Sequence, residues 1–177
     1  MKEEINITKS LILDDWLIKS RDKDEESIKS LYIEMKRPIF ILALSIVNDY
    51  HIAEDVLQET FIKVIKYAGD YKKGSNAKAW IFMIAKNTAL NNLRKRSKEE
   101  IKDDLIIKDT GNFTEDVEGT MEFIRLIEPL EQEEKEILAL RLSAGLSHGE
   151  IANVLNISVL NARTKYSRAI KKLRKLV

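Results

Sequence analysis

Seven Lys/Arg residues and not one Asp/Glu lie between Ile151 and Val177, and five Lys/Arg with no acid lie between Trp80 and Lys98. Between these blocks, Glu99 to Glu118 holds eight acids and two lysines. The net charge of +1 conceals this segregation, which suits a polyanionic partner better than a uniformly solvated surface. A second pattern is a stripe: Asp55, Gln58, Glu59 and Ile62 fall at i, i+3, i+4 and i+7, one line along a helix. It is either a face for charge-assisted contacts to another protein or a solvated face with one stray apolar residue. A third line, Trp80, Ile84, Asn87, Asn91 and Arg94, turns from aromatic to polar; its first two members fit a core equally well. Covalent chemistry is poorly served. His51 and His148 stand far apart, there is no cysteine, and no Gly-rich phosphate loop or nucleophile elbow occurs. No catalytic residue, metal site or cofactor is expected, and the chain does not read as an enzyme.

The elements that must position these residues are helices. Six glycines and two prolines in 177 residues are too few for a turn-rich β fold. Hydrophobic residues make up 44% and charged residues 33%, a balance that suits a globular rather than disordered chain. No run approaches the ~20 apolar residues of a membrane span, and the N-terminus does not read as a signal peptide. Apolar spacing predicts helices over Leu11–Ser20, Glu25–Asn48, His51–Tyr67 and Asn76–Arg96, with Pro38 breaking or kinking the second. A further helical block begins near Thr120, and Pro129 has the character of a first helical residue. The acidic stretch 98–119 has little periodicity and reads as a flexible linker that stays away from duplex DNA. The expected architecture is all-α: two small helical domains, 1–97 and 120–177, joined by that linker.

The C-terminal residues spell out a helix-turn-helix. Ser147 and Glu150 form a capping box, Asn156 can take the left-handed conformation of a sharp turn, and Ser158 caps the next helix. Ala162, Tyr166, Ala169, Leu173 and Leu176 recur as its buried stripe. Helix-turn-helix proteins touch bases near the start of the second helix and hold phosphates further along. That places Leu160, Asn161, Arg163 and Thr164 at base edges, with Leu160 against a thymine methyl, and Arg168 and Lys171 on the backbone.

Two longer strings carry a family resemblance. AEDVLQETFIKVIKYAGDY (Ala53–Tyr71) followed by AWIFMIAKNTALNNLRKR (Ala79–Arg96) resembles region 2 of sigma-70-type factors. LEQEEKEILALRLSAGLSHGEIANVLNIS, with the basic helix ending AIKKLRKL, resembles region 4. The chain is similar to the extracytoplasmic-function group, which lacks the region between them. The resemblance implies a cytoplasmic protein whose partners are core RNA polymerase and promoter DNA, and it leaves room for an anti-sigma factor. It implies that Asp55, Gln58, Glu59 and Ile62 dock on the polymerase clamp helices. Trp80, Asn87, Asn91 and Arg94, with the loop before them, would meet the −10 element, where unpaired bases need stacking surfaces, amides and cations. The helix-turn-helix would read the −35 element. The alternative is a stand-alone helix-turn-helix regulator with a helical ligand-binding or dimerisation domain.

Overall fold

The computed structural model describes residues 2–99 and 117–175, and all regular structure among them is helical. The helices are α1 (Lys2–Lys19), α2 (Glu25–Val47), α3 (Tyr50–Tyr67), α4 (Ala77–Glu99), α5 (Val117–Ile127), α6 (Gln132–Leu138), α7 (His148–Leu155) and α8 (Val159–Leu173). Short 3-10 turns follow α1 (Ser20–Asp22) and α3 (Ala68–Asp70), and α6 widens into a π-helical stretch, Ala139–Ser143. Of the acidic linker, 100–116 lies outside the described residues, as does Leu176 of the expected stripe; the ends of the 98–119 span are helical.

α2 is the centre. Every residue from Ile39 to Val47 is buried, as expected of a helix that is packed on all sides. Its ends are well defined: Asp24 accepts from the Ser27 N–H at 2.9 Å, and Asn48 closes it in the left-handed conformation. Of the break or kink expected at Pro38, the break does not occur; the helix continues through it. A proline inside a helix costs about 3 kcal/mol, and burial on both sides of it outweighs that. α3 and α4 pack on α2 and on each other, burying Ala53, Leu57, Phe61 and Val64 as the periodicity predicts. Asp49 caps α3 and also receives Arg96 from the far end of α4 at 2.9 Å, which locks the two helices together.

Pro129 is not a first helical residue. It lies in the turn before α6, whose start is set by a reciprocal capping box between Glu131 and Glu134. The C-terminal helices do not stand apart from the first four. One continuous core runs from α1–α4 through Ile137, Leu140, Leu146, Ile151 and Leu155. α7 packs on α4, and α6 with the segment 139–143 packs on α2. Three cross-links accompany this packing: Asn76 to Glu150, Lys86 Nζ to the Val154 carbonyl at 3.4 Å, and Gln132 Nε2 to the Ser45 carbonyl at 3.0 Å.

Candidate nucleic-acid interface

The helix-turn-helix is built as its sequence demands. Ser147 Oγ accepts from the Glu150 N–H at 3.2 Å while the Glu150 carboxylate accepts from the Ser147 N–H. These bonds and Asn76 outweigh the effect of burial and hold the Glu150 carboxyl below the usual range. Asn156 turns the chain at φ +55°, and Ser158 accepts from the Asn161 N–H at 3.1 Å to start α8. Ala162, Ala169 and Leu173 are buried, with Tyr166 half-buried beside them. Opposite them, Leu160, Asn161, Arg163, Thr164, Arg168 and Lys171 are all exposed, Leu160 to 75%. A leucine so exposed at the head of a helix contributes nothing to the core. Thr164 donates its hydroxyl to the Leu160 carbonyl at 2.8 Å, which leaves its oxygen as an acceptor facing outward.

Charge counting alone overstates this surface. Lys165 pairs with Glu133, and Lys172 bonds Glu134 at 2.8 Å and Glu131 at 3.4 Å. Glu134 is only 3% exposed, so Lys172 holds the end of α8 on α6. The same sorting applies on α4, where Lys86 and Arg96 are structural while Arg94 and Lys95 are exposed.

On α4, Asn87, Asn91 and Arg94 form one exposed line. Trp80, at its head, is half-buried, with its ring 5.5 Å from that of Tyr71. It lines a cleft shared with Asn76 and Met83 on one side and Asn153, Asn156 and Ile157 of the helix-turn-helix on the other. Leu93, on the same helix, is 40% exposed. On α3, Asp55 and Gln58 are exposed, and Ile62 is exposed to 67%. Glu59 differs. It accepts from Lys63 at 2.7 Å and from Asn92 at 2.9 Å. Burial works against its ionisation, but these bonds prevail and hold its carboxyl below the ordinary range. Glu59 therefore braces α3 against α4 as well as edging the stripe.

Two residues that hold the segment before α4 escaped the sequence reading: Asp14 and Arg21. Asp14 is buried among Leu13, Leu17 and the loop before α4, and accepts from the Tyr71 hydroxyl. Burial first, and that bond second, push the Tyr71 hydroxyl well above its ordinary value, so it remains a proton donor. The available signal was an acid three residues from Leu17, inside the apolar line of a short amphipathic helix.

The family model "Sigma-70 region 2" matches residues 31–99, and "Sigma-70, region 4" matches residues 126–175. The chain is 30% identical over 155 residues to the ECF RNA polymerase sigma factor SigM of Bacillus subtilis, covering 85% of this chain and 94% of that protein. It is 28% identical over 163 residues to the RNA polymerase sigma-H factor of Pseudomonas aeruginosa, covering 82% and 83%. Among solved structures, CnrH in complex with the cytosolic domain of CnrY superposes with a TM-score of 0.70 at 19% identity, covering 93% and 96%. The sigma factor RpoE in complex with the anti-sigma factor NepR from Bartonella quintana superposes at 0.67 and 23% identity, covering 84% and 94%. These two likenesses are of fold.

Proposed function

The chain belongs to the extracytoplasmic-function group of the sigma-70 family, and from that premise we propose how its exposed faces divide the work of starting transcription. It is a sigma factor, not an enzyme: it binds core RNA polymerase and directs promoter-specific initiation, and the polymerase supplies the chemistry. Residues 1–97 form the polymerase-binding and −10 domain, 98–119 the linker, and 120–177 the −35 domain. Asp55, Gln58 and Ile62 dock on the polymerase, with Glu59 both edging and bracing that surface. Asn87, Asn91 and Arg94 meet the unpaired strand of the −10 element, and Trp80 supplies the stacking surface at their head. Leu160, Asn161, Arg163 and Thr164 read the −35 element in the major groove, while Arg168 and Lys171 hold its phosphates.

The observation that carries this reading is the face of α8. Six residues of base-reading or phosphate-binding type are exposed together, opposite the line Ala162–Ala169–Leu173 that anchors the helix. The protein works in the cytoplasm, where polymerase and DNA are. No described helix is long and apolar enough to cross a membrane. An anti-sigma partner is part of the same reading, since RpoE, whose fold this chain shares, is held by one.

Run-off transcription on genomic DNA tests the proposal. Core polymerase of the host, with and without this chain, should yield new transcripts with defined starts only when the chain is present. Identical transcripts in both reactions would reject it.

A further inference from the structure

Asp14 is a carboxylate that is only 5% exposed. Its Oδ1 accepts from the Tyr71 hydroxyl and from the Ala77 N–H at 3.2 Å, and its Oδ2 accepts from the Gly74 N–H at 2.9 Å. Tyr71 and Gly74 belong to the segment that joins α3 to α4, and Ala77 is the first residue of α4. Arg21, from the turn just after α1, grips the carbonyl side of the same segment. Its Nε donates to the Ala68 carbonyl at 2.8 Å, and its guanidinium also donates to the Tyr71 carbonyl. Two side chains of one N-terminal element thus hold the loop at residues 68, 71, 74 and 77. Both residues precede the stretch that the family model matches.

The loop needs holding. Gly74 sits at φ +82° and Asn76 at +70°, the left-handed region that an unconstrained chain seldom keeps in close succession. Burying a carboxylate is unfavourable unless its oxygens are satisfied, and an apolar side chain would fill the same space without that penalty. The carboxylate adds direction: three N–H and O–H groups are fixed in space, one of them at the N-terminus of α4, where negative charge is favoured. Above the clamp, Lys72 and Lys73 are exposed at the loop tip. Beside it, the Tyr71 ring rests against Trp80. A line of contact therefore runs from Asp14 through Tyr71 to the head of the −10 face.

We propose that Asp14, with Arg21, is a positioning residue for promoter opening: it fixes the loop 68–76 so that Lys72 and Lys73 meet the phosphates of the separated strand while Trp80 meets its bases. This deepens the reading of α4 given above and rests on it. Asp14 touches no DNA, and it lies away from the α3 stripe.

The test uses holoenzyme assembled from core polymerase and the full chain, on a promoter recovered in the run-off experiment. Strand opening is read by the chemical reactivity of unpaired thymines, and core affinity is measured alongside. Asp14→Asn, which turns an acceptor into a donor facing an N–H or O–H, should lower opening about tenfold, the scale of one or two buried hydrogen bonds to a charged group. Core affinity should stay within about twofold on the same scale, and the Gly74 and Ala77 amides should exchange faster with solvent while those of α2 do not. Removing Lys72 and Lys73 should lower opening in the parent chain but add little in the Asp14→Asn background, because residues acting as one unit are not additive. If Asp14→Asn does not fold, Tyr71→Phe carries the same comparison with one bond removed. Opening equal to the parent, a parallel loss of core affinity, or strictly additive effects of the lysines and Asp14 would overturn the proposal. A parent holoenzyme that opens no duplex would strike the sigma-factor reading itself, and the clamp with it.

Discussion

Asn76 donates its side-chain amide to Glu150, and each of the two residues also starts a helix. Asn76 Oδ1 accepts from the Ala79 N–H at 3.0 Å to cap α4, and Glu150 closes the capping box of α7. The starts of α4 and α7 are therefore joined. Two elements about 25 base pairs apart lie roughly 85 Å apart along B-DNA at 3.4 Å per step. Halves that share a core cannot span that distance, so the proposed reading of both elements requires them to part.

Asn76→Asp tests this. Aspartate still tolerates the left-handed conformation and still caps α4, but it sets a carboxylate against Glu150. The distance between dyes placed on residues 23 and 171 should lengthen in the free variant, and adding Glu150→Gln should shorten it again. An unchanged distance distribution would show that this contact does not govern closure.

Variants of the α3 stripe test the proposed docking apart from the bracing by Glu59. Asp55→Lys with Ile62→Asp should weaken core binding by about tenfold or more, as expected when central interface residues are lost, with helical content unchanged. Glu59→Ala should instead lower the thermal stability of the free chain, because Lys63 and Asn92 lose the carboxylate that links them and keep only Thr88. Titration against core polymerase, with circular dichroism on each variant, distinguishes the two. Full affinity in the Asp55/Ile62 pair would move the docking surface elsewhere.

Local signals were legible where they depend on a few neighbouring residues. The Ser147–Glu150 box, the Asn156 turn and the Ser158 cap could be read directly, because each is a short-range contest over backbone N–H groups. Signals settled by tertiary packing were not. Pro38 breaks an isolated helix, and only burial of Ile39–Val47 overrides it. Lys86, Arg96, Lys165 and Lys172 look like their basic neighbours until their carbonyl and carboxylate partners, many residues away in sequence, come into view. Asp14 was hidden for the same reason, since the donors that justify its burial lie about sixty residues downstream.

His148 makes the C-terminal half sensitive to acid. Its Nε2 is buried without a hydrogen-bond partner, and its ring stands edge-on to Tyr166 at 5.2 Å. Burial, then Arg141 and Arg163, lower its pKa, so the folded state favours the neutral ring. A histidine whose folded pKa lies below its unfolded value of about 6.5 contributes stability above that pH and loses it as pH falls further. Glu136, raised by burial, works in the opposite sense, so the comparison must be made between variants. His148→Phe, which keeps the aromatic contact, should lose less stability than the parent between pH 7.5 and 5.5 in urea denaturation. Equal losses would assign the acid sensitivity to other groups.

Lys171 and Lys172 are neighbours in sequence on different sides of α8. Lys171 is exposed on the face of α8 that carries Arg168 and the residues proposed to read bases. Lys172 reaches the other way, to Glu134 and Glu131. Lys171→Ala should weaken binding to all sequences alike and lower the salt slope by about one unit, as loss of one phosphate contact does. Lys172→Ala should leave the salt slope unchanged and lower the melting temperature, because the Glu134 carboxylate is then buried without its cation. Nearer the start of the helix the effect changes in kind. Arg163→Ala should cost roughly 1–3 kcal/mol at one base position if the guanidinium forks a guanine, and Leu160→Gly should relax selectivity at one or two base pairs. Salt titration of DNA binding and thermal melts read the two lysine variants, and transcription from a library of randomised upstream elements, run with each variant, reads the preferred sequence. If Lys171→Ala altered the preferred sequence while Arg163→Ala and Leu160→Gly did not, α8 would have to enter the groove in the opposite orientation.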